Sequence, residues 1–194
     1  MPSGTATVAR ATPAGALRDR TRSAHERVEA RVDATARLAD RAAYRGWLEL
    51  LLGFHATTDA ALEARFAGTG LPASGRVRRL ERDLAALGAC DADIAAVPRL
   101  DPAWIADGAR ACGTLYVVEG SALGGAVLGH QARAALGVTP LSGAAFFSGA
   151  GSPAPRWQAV CAVLDAQLAG DAALADAVDG ALAAFDAFEQ WACR

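Results

Sequence analysis

Apolar residues recur at helical spacing along almost the whole chain, and no stretch alternates apolar and polar residues as a half-buried strand would. A chain of 194 residues patterned this way buries its apolar stripes only by packing helix against helix. The expected fold is all-α, a single-domain helical bundle. A first helix is predicted from about Ala16 to Leu38. A second, capped by Asp40, runs from Arg41 to about Phe66 and carries "YRGWLELLLGFH". "GTGLPASG" breaks the pattern. Shorter helices follow over residues 76–87 and from Asp91 to a stop at Pro98. Asp101 and Pro102 read as the cap and first turn of a long helix that reaches Leu136. "VTPLSGAAFFSGAGSPAP" reads as loop. Helices over about 153–169 and 171–191, divided by Gly170, close the chain. Residues 1–15 are expected to be a flexible N-terminal tail, and residues 16–194 the domain.

Inside the long helix, "LYVVEGSALGGAVLGH" breaks a helix rule four times, at Gly120, Gly124, Gly125 and Gly129. Each glycine costs roughly 0.5–1 kcal/mol relative to alanine, which this chain uses freely. Something must come too close for a methyl group. It is either another helix, which Gly120 and Gly124, four apart, would admit, or a flat ligand lying on the backbone. Ser121, Ala122 and Gly125 widen the bare patch and suit the ligand. Residues 111–129 are also apolar enough to make a membrane span conceivable. Glu119 near the middle and the isolation of this one segment argue against a membrane partner.

The first helix carries a second anomaly, "LRDRTRSAHERVEARV". At 100° per residue, Arg18, Arg22, His25 and Glu29 share an arc of about 60° that borders the apolar flank. A solvated face would look the same. Glu29, one turn beyond His25, sharpens the functional alternative: it can accept from one ring nitrogen and leave the other to bind a metal.

The net charge of −2 and the lack of a basic tract give nucleic acid no support as a partner. Cys90, Cys112, Cys161 and Cys193 form no CxxC pair and stand near no histidine at zinc-ligand spacing. They are expected to be buried, reduced thiols. The N-terminus lacks the hydrophobic region of a signal peptide, so the expected location is cytoplasmic.

Together, "LRDRTRSAHERVE" and, about 95 residues later, "GTLYVVEGSALGG" resemble the heme oxygenase family, specifically its bacterial biliverdin-producing branch. "YRGWLELLLGFH" and "FDAFEQW" resemble that family's second and last helices. The resemblance implies a heme oxygenase-like bundle with a glycine-rich, kinked distal helix over the heme. His25 would then be the proximal iron ligand. Gly120, Ser121 and Gly124 would stand at the reacting face with Gly125 beside them, leaving room for O2. Arg18 and Arg22 would face the propionates, and Glu29 would orient His25. Tyr116, Arg133 and Phe146–Phe147 are further pocket candidates. His55 and His130 read as structural or surface residues, with His130 the rival ligand. Some relatives carry an aspartate after the first distal glycine. Here Ser121 stands there, able to hold water but not to act as an acid. The last helices offer few cations besides Arg156.

The implied reaction cleaves heme, both cofactor and substrate, with O2 and electrons to biliverdin, CO and iron. The implied partners are an external electron donor such as ferredoxin, a reductase or ascorbate, and a biliverdin-using phytochrome. One alternative is a heme-binding carrier or sensor of the same fold without turnover. Another is a fold relative that takes no heme, such as a thiaminase-like hydrolase using Cys112. A di-iron bundle is disfavoured because no Glu-x-x-His pair occurs.

Overall fold

The computed structural model describes residues 12–149 and 154–194, and among them there are helices and no strand. Eight α-helices are seen: α1 Pro13–Val32, α2 Arg41–Arg65, α3 Arg76–Ala86, α4 Asp91–Ala96, α5 Gly108–Leu136, α6 Ala145–Ser148, α7 Ala154–Gln167 and α8 Asp171–Ala192.

Local chemistry sets most of the ends. Thr12 accepts a hydrogen bond from Gly15 N, and Pro13 opens α1 where its missing N–H is harmless. The helix therefore begins before Ala16. It also stops before Leu38. Asp33 turns left-handed, with φ 43°, and its side chain accepts from Ala36 N to start a separate 3-10 turn over Ala36–Leu38. Asp40 caps α2 as expected, accepting from Ala43 N at 2.8 Å.

The start of α5 differs from expectation. Pro102 closes a turn with Ile105 N instead of opening a helix, and the cap is Asp107, which accepts from Arg110 N at 2.8 Å. The reason lies in α2: Leu100 N donates to Gly53 O, and Thr57 Oγ1 donates to Leu100 O. These bonds hold the chain across α2 until it clears that helix. The expected loop after α5 also contains a helix. Asp83 of α3 accepts from Ala145 N and Phe146 N, both at 2.7 Å, and so caps the four-residue α6 from a distance.

α8 packs along both α5 and α1, which touch each other much less. A central core joins Leu17, Phe54, Leu115, Val160 and Leu164. A second core, with Tyr44, Leu48, Leu80 and Phe147, lies beneath α3 and α6. A third, Ala24, Val28, Val32 and Phe185, joins α1 to α8. Phe188 borders all three. Each fully buried leucine contributes roughly 1.5–3 kcal/mol, and that is what holds the helices that carry the site.

Candidate functional site

On α1, Leu17, Thr21, Ala24, Val28 and Val32 form the buried face, and His25 falls just outside that arc. Its side chain is 55% exposed, with the ring edge-on to Phe185 of α8 at 5.8 Å between centroids. His25 Nδ1 faces Glu29 Oε2 at 3.5 Å, within ion-pair range but longer than a good hydrogen bond. Arg18 and Arg22 are exposed, and both meet Asp19, at 3.5 and 2.9 Å. Sequence reasoning passed over Asp19, although an aspartate three residues before an arginine signals such a pair. An exposed pair is worth about 0–1 kcal/mol, so a better carboxylate displaces Asp19 easily.

On α5, Gly113, Tyr116, Val117, Gly124 and Val127 all lie within about 60° of Gly120 around the axis. The surroundings change along this one face. A methyl at Gly113 would lie 1.8 Å from the Ala177 carbonyl oxygen, so α8 crosses there in backbone contact. At Tyr116 the neighbour is α1. Tyr116 packs on the core that holds Leu17, and the Thr21 hydroxyl donates to Leu17 O. Burial pushes the Tyr116 phenol above its ordinary pKa. Val117 packs on the cluster of Ala24, Val28 and Phe185. One turn further on, α1 carries His25 and α5 carries Gly120.

At Gly120 the nearest atoms to an added methyl belong to the Trp157 ring, at 3.9 Å, and at Gly124 nothing lies within 4 Å. Val127, an ordinary valine in sequence, continues the stripe 60% exposed. The same helical arithmetic could have found it. Ser121 flanks the stripe, and its hydroxyl donates to Val118 O at 2.9 Å.

Other candidates sit elsewhere on α5. A methyl at Gly125 would meet the Phe147 carbonyl oxygen at 3.6 Å, and one at Gly129 would meet Phe147 Cβ at 3.2 Å. These two glycines seat the helix against α6. Phe147 is buried, and Phe146 lies beside the His55 ring at 5.4 Å. Arg133 is exposed in the last turn, nine residues past Gly124 and thus about 180° round the helix from it. Exposed His130 lies about 120° round from Gly124.

Sequence reasoning also missed an ionic network behind the glycine face. Glu119, directly before Gly120, is buried and receives Arg156 of α7 through Nε and Nη2 at 2.6 and 2.8 Å. Arg76 of α3 reaches the same carboxylate at 2.9 Å and pairs with buried Asp59, which lies 3.4 Å from His55 Nδ1. Burial opposes both carboxylates. Arg156 and Arg76 outweigh it at Glu119, and His55 and Arg76 do so at Asp59, so both are held below the usual carboxylate range.

A cavity of about 440 Å³ opens beside Arg45, Glu49, Asp93 and Trp191, and another of about 230 Å³ touches Glu119 from behind. His25, Gly120 and Gly124 line neither of them; the His25 side chain is 55% exposed and Gly124 is exposed.

The cysteines do not form the buried set expected. Cys90 and Cys193 are exposed and Cys161 is half-buried. Cys112 is buried, and desolvation pushes its thiol up to about 11, the reverse of what a nucleophile needs. Among the described residues no three His, Cys, Asp or Glu side chains gather as a metal-binding set. A lone histidine serves as ligand where the metal brings its other ligands with it.

No curated protein matches the chain. A solved structure does: the heme oxygenase from Neisseria meningitidis, described in its NO- and CO-bound forms. It is 26% identical, with a TM-score of 0.76 over 94% of this chain and 91% of that one. The profile of the heme oxygenase family matches residues 11–194. With nearly its whole length matched in sequence and fold, the chain belongs to the heme oxygenase family.

Proposed function

We propose that His25 would hold the iron of bound heme and that Gly120 and Gly124 would leave the reacting side free of side chains. The observation that carries this is the change along one stripe of α5. It is packed to backbone contact at Gly113 and bare at Gly124, with apolar Val127 left exposed beyond. The chain itself is a heme-degrading oxygenase that takes heme as substrate and cofactor and consumes O2 and reductant electrons. Bound heme supplies the iron redox chemistry.

The protein's part is geometric and electrostatic. Glu29, 3.5 Å from His25 Nδ1, would close to a hydrogen bond and orient the ring, leaving Nε2 for the metal. Gly120 and Gly124 keep side chains off the reacting face, and Val127 covers apolar surface at its far end. Arg18 and Arg22 exchange Asp19 for the propionates, where a guanidinium can bind a carboxylate through two hydrogen bonds. Ser121 offers acceptor lone pairs to water while its proton is engaged with Val118 O. With no acid at that position, water delivers protons. Electrons come from an external donor, a ferredoxin, a reductase or ascorbate. Biliverdin passes to a phytochrome that uses it, in the cytoplasm.

His25→Ala tests the assignment. The variant should lose the histidine-ligated absorption spectrum and more than nine-tenths of biliverdin formation, and added imidazole should restore part of both. An unchanged spectrum, with loss instead in His130→Ala, would move the ligand to His130.

A further inference from the structure

Trp157 has no part in the site as read so far, yet it stands against it. It follows Arg156 at the start of α7, and the two residues grip α5 together. Arg156 holds the Glu119 carboxylate through two nitrogens and donates from its third to Pro72 O at 2.6 Å. Trp157 lays its ring on Tyr116, with centroids 5.9 Å apart and planes tilted by 57°. The far edge of the indole, Cζ3 and Cη2, comes within 3.9 Å of where a methyl at Gly120 would sit.

The open stripe of α5 is thus walled at one end and free at the other. At Gly120 an aromatic edge stands at van der Waals distance; at Gly124 there is nothing. The walled end is the end nearer α1, because Tyr116 packs there on the core that holds Leu17.

We infer that Trp157 is a positioning residue that sets the in-plane seat of the heme, and so which meso carbon is cleaved. The inference rests on the heme site proposed above. A rigid macrocycle lying on Gly120 cannot extend past the indole. Arg156, the preceding residue, ties this end of α7 to a carboxylate 2% exposed, where charge-assisted hydrogen bonds are strong, and the indole itself packs against Tyr116. The rival anchors are weaker. Arg18 and Arg22 are 72% and 62% exposed and already share Asp19, so they hold carboxylates loosely in high dielectric. A flat ligand held by one axial bond and two loose arginines rotates in plane at little cost, and lateral packing stops it.

The test compares wild type, Trp157→Phe and Trp157→Ala, each loaded with ferric heme and saturated with cyanide. The hyperfine-shifted heme methyl resonances in proton NMR report in-plane orientation without turnover. Chromatography of biliverdin isomers, run separately, reports the carbon cleaved. Wild type and Trp157→Phe should each show one dominant methyl set. Trp157→Ala should keep the histidine-ligated spectrum, show a second methyl set and raise the minor isomers at least threefold. Arg156→Lys keeps the indole but loosens its hold and should shift both readouts in the same direction by less, which secures the test should Trp157→Ala fold poorly. A merely structural tryptophan would lower Tm and heme affinity and leave one methyl set and one isomer; that result would overturn the inference and spare the site. No heme binding by wild type would overturn the site, and the inference with it.

Discussion

The two halves of α5 use glycine to opposite ends. In the first half Gly113 lets α8 in. A methyl there would lie 1.8 Å from Ala177 O and 2.6 Å from Ala181 N, and Gly180 answers from α8, where a methyl would lie 2.3 Å from Arg110 O. In the second half, roughly three turns on along the same face, Gly124 has no neighbour within 4 Å. Glycine marks both places and distinguishes neither. What differs is what stands opposite, backbone in one half and open space in the other. A glycine against backbone is accounted for by the packing it allows. A glycine against space, as at Gly124 and at Gly46 of α2, forgoes about 1 kcal/mol of helix propensity with no protein contact in return, and only a ligand test tells a bare surface kept for binding from a tolerated one.

The packed half should break first and hardest. Gly113→Ala gains that propensity but sets a methyl inside a backbone contact that no rotamer relieves. Ordinary overpacking costs about 1–3 kcal/mol, and this should exceed that range and leave little soluble folded protein. Circular dichroism and thermal melts would show it. A variant that melts within a few degrees of wild type would mean that α5 and α8 separate cheaply, and the contrast between the halves would be lost.

Glu119 sits where the halves meet. Glu119→Gln removes a buried charge from between Arg156 and Arg76, and breaking a buried pair this way typically costs 3–5 kcal/mol. Stability against pH reads the same group. Its carboxyl, like that of Asp59, is held below the usual range in the folded protein. The unfolded chain therefore binds the proton more readily, and stability rises with pH through the carboxylate range. The contribution is full above the unfolded value of about 4.3 and is lost as pH falls toward the folded one. Wild type should lose Tm steeply between pH 5 and 3, and Glu119→Gln should start lower with a shallower slope. Parallel slopes would remove Glu119 from the acid response.

How much of this was legible depended on the range of the interaction. The Asp40 cap and the His25–Glu29 register are local, three or four residues apart, and could be read directly. Asp101–Pro102 carries the same local signal as a true cap. It misled because Gly53 and Thr57, some 45 residues earlier, hold that stretch out of the helix. Gly120 and Gly124 were visible as anomalies. That the real helix crossing uses Gly113 and Gly180 was not, since spacing on one helix says nothing of which glycine meets a partner. The grip of Arg156 and Trp157 on Glu119 and Gly120 joins helices separated by a long connection, and composition gives no sign of it.

The open half should tolerate bulk as structure and not as function. Gly124→Leu projects a side chain into empty space, so the apoprotein should fold with a Tm near that of wild type. With heme on that face, the same leucine should cut biliverdin formation tenfold or more, equivalent to at least about 1.4 kcal/mol on the barrier. Normal turnover in a folded variant would show that Gly124 does not lie over the reacting face.

The smallest change sharpens the comparison most. Gly124→Ala adds one methyl where nothing lies within 4 Å, so no clash opposes the helix propensity of alanine. The apoprotein should gain about 0.8–1 kcal/mol, which in a chain of this size raises Tm by roughly 2–4 °C. Gly113→Ala, the same chemical change on the same face, should do the reverse. The heme-loaded protein supplies the second reading. If heme lies against Gly124, the added methyl pushes on it, and heme should raise the Tm of the alanine variant by less than it raises that of wild type. A gain in the apoprotein with a reduced gain on loading is the signature of a surface kept bare for a ligand. A loss of Tm in the apoprotein would place a protein neighbour at Gly124 and make both halves of α5 packing surfaces. An equal heme-induced gain in the two proteins would move the heme elsewhere along the stripe, toward Gly120 and Trp157.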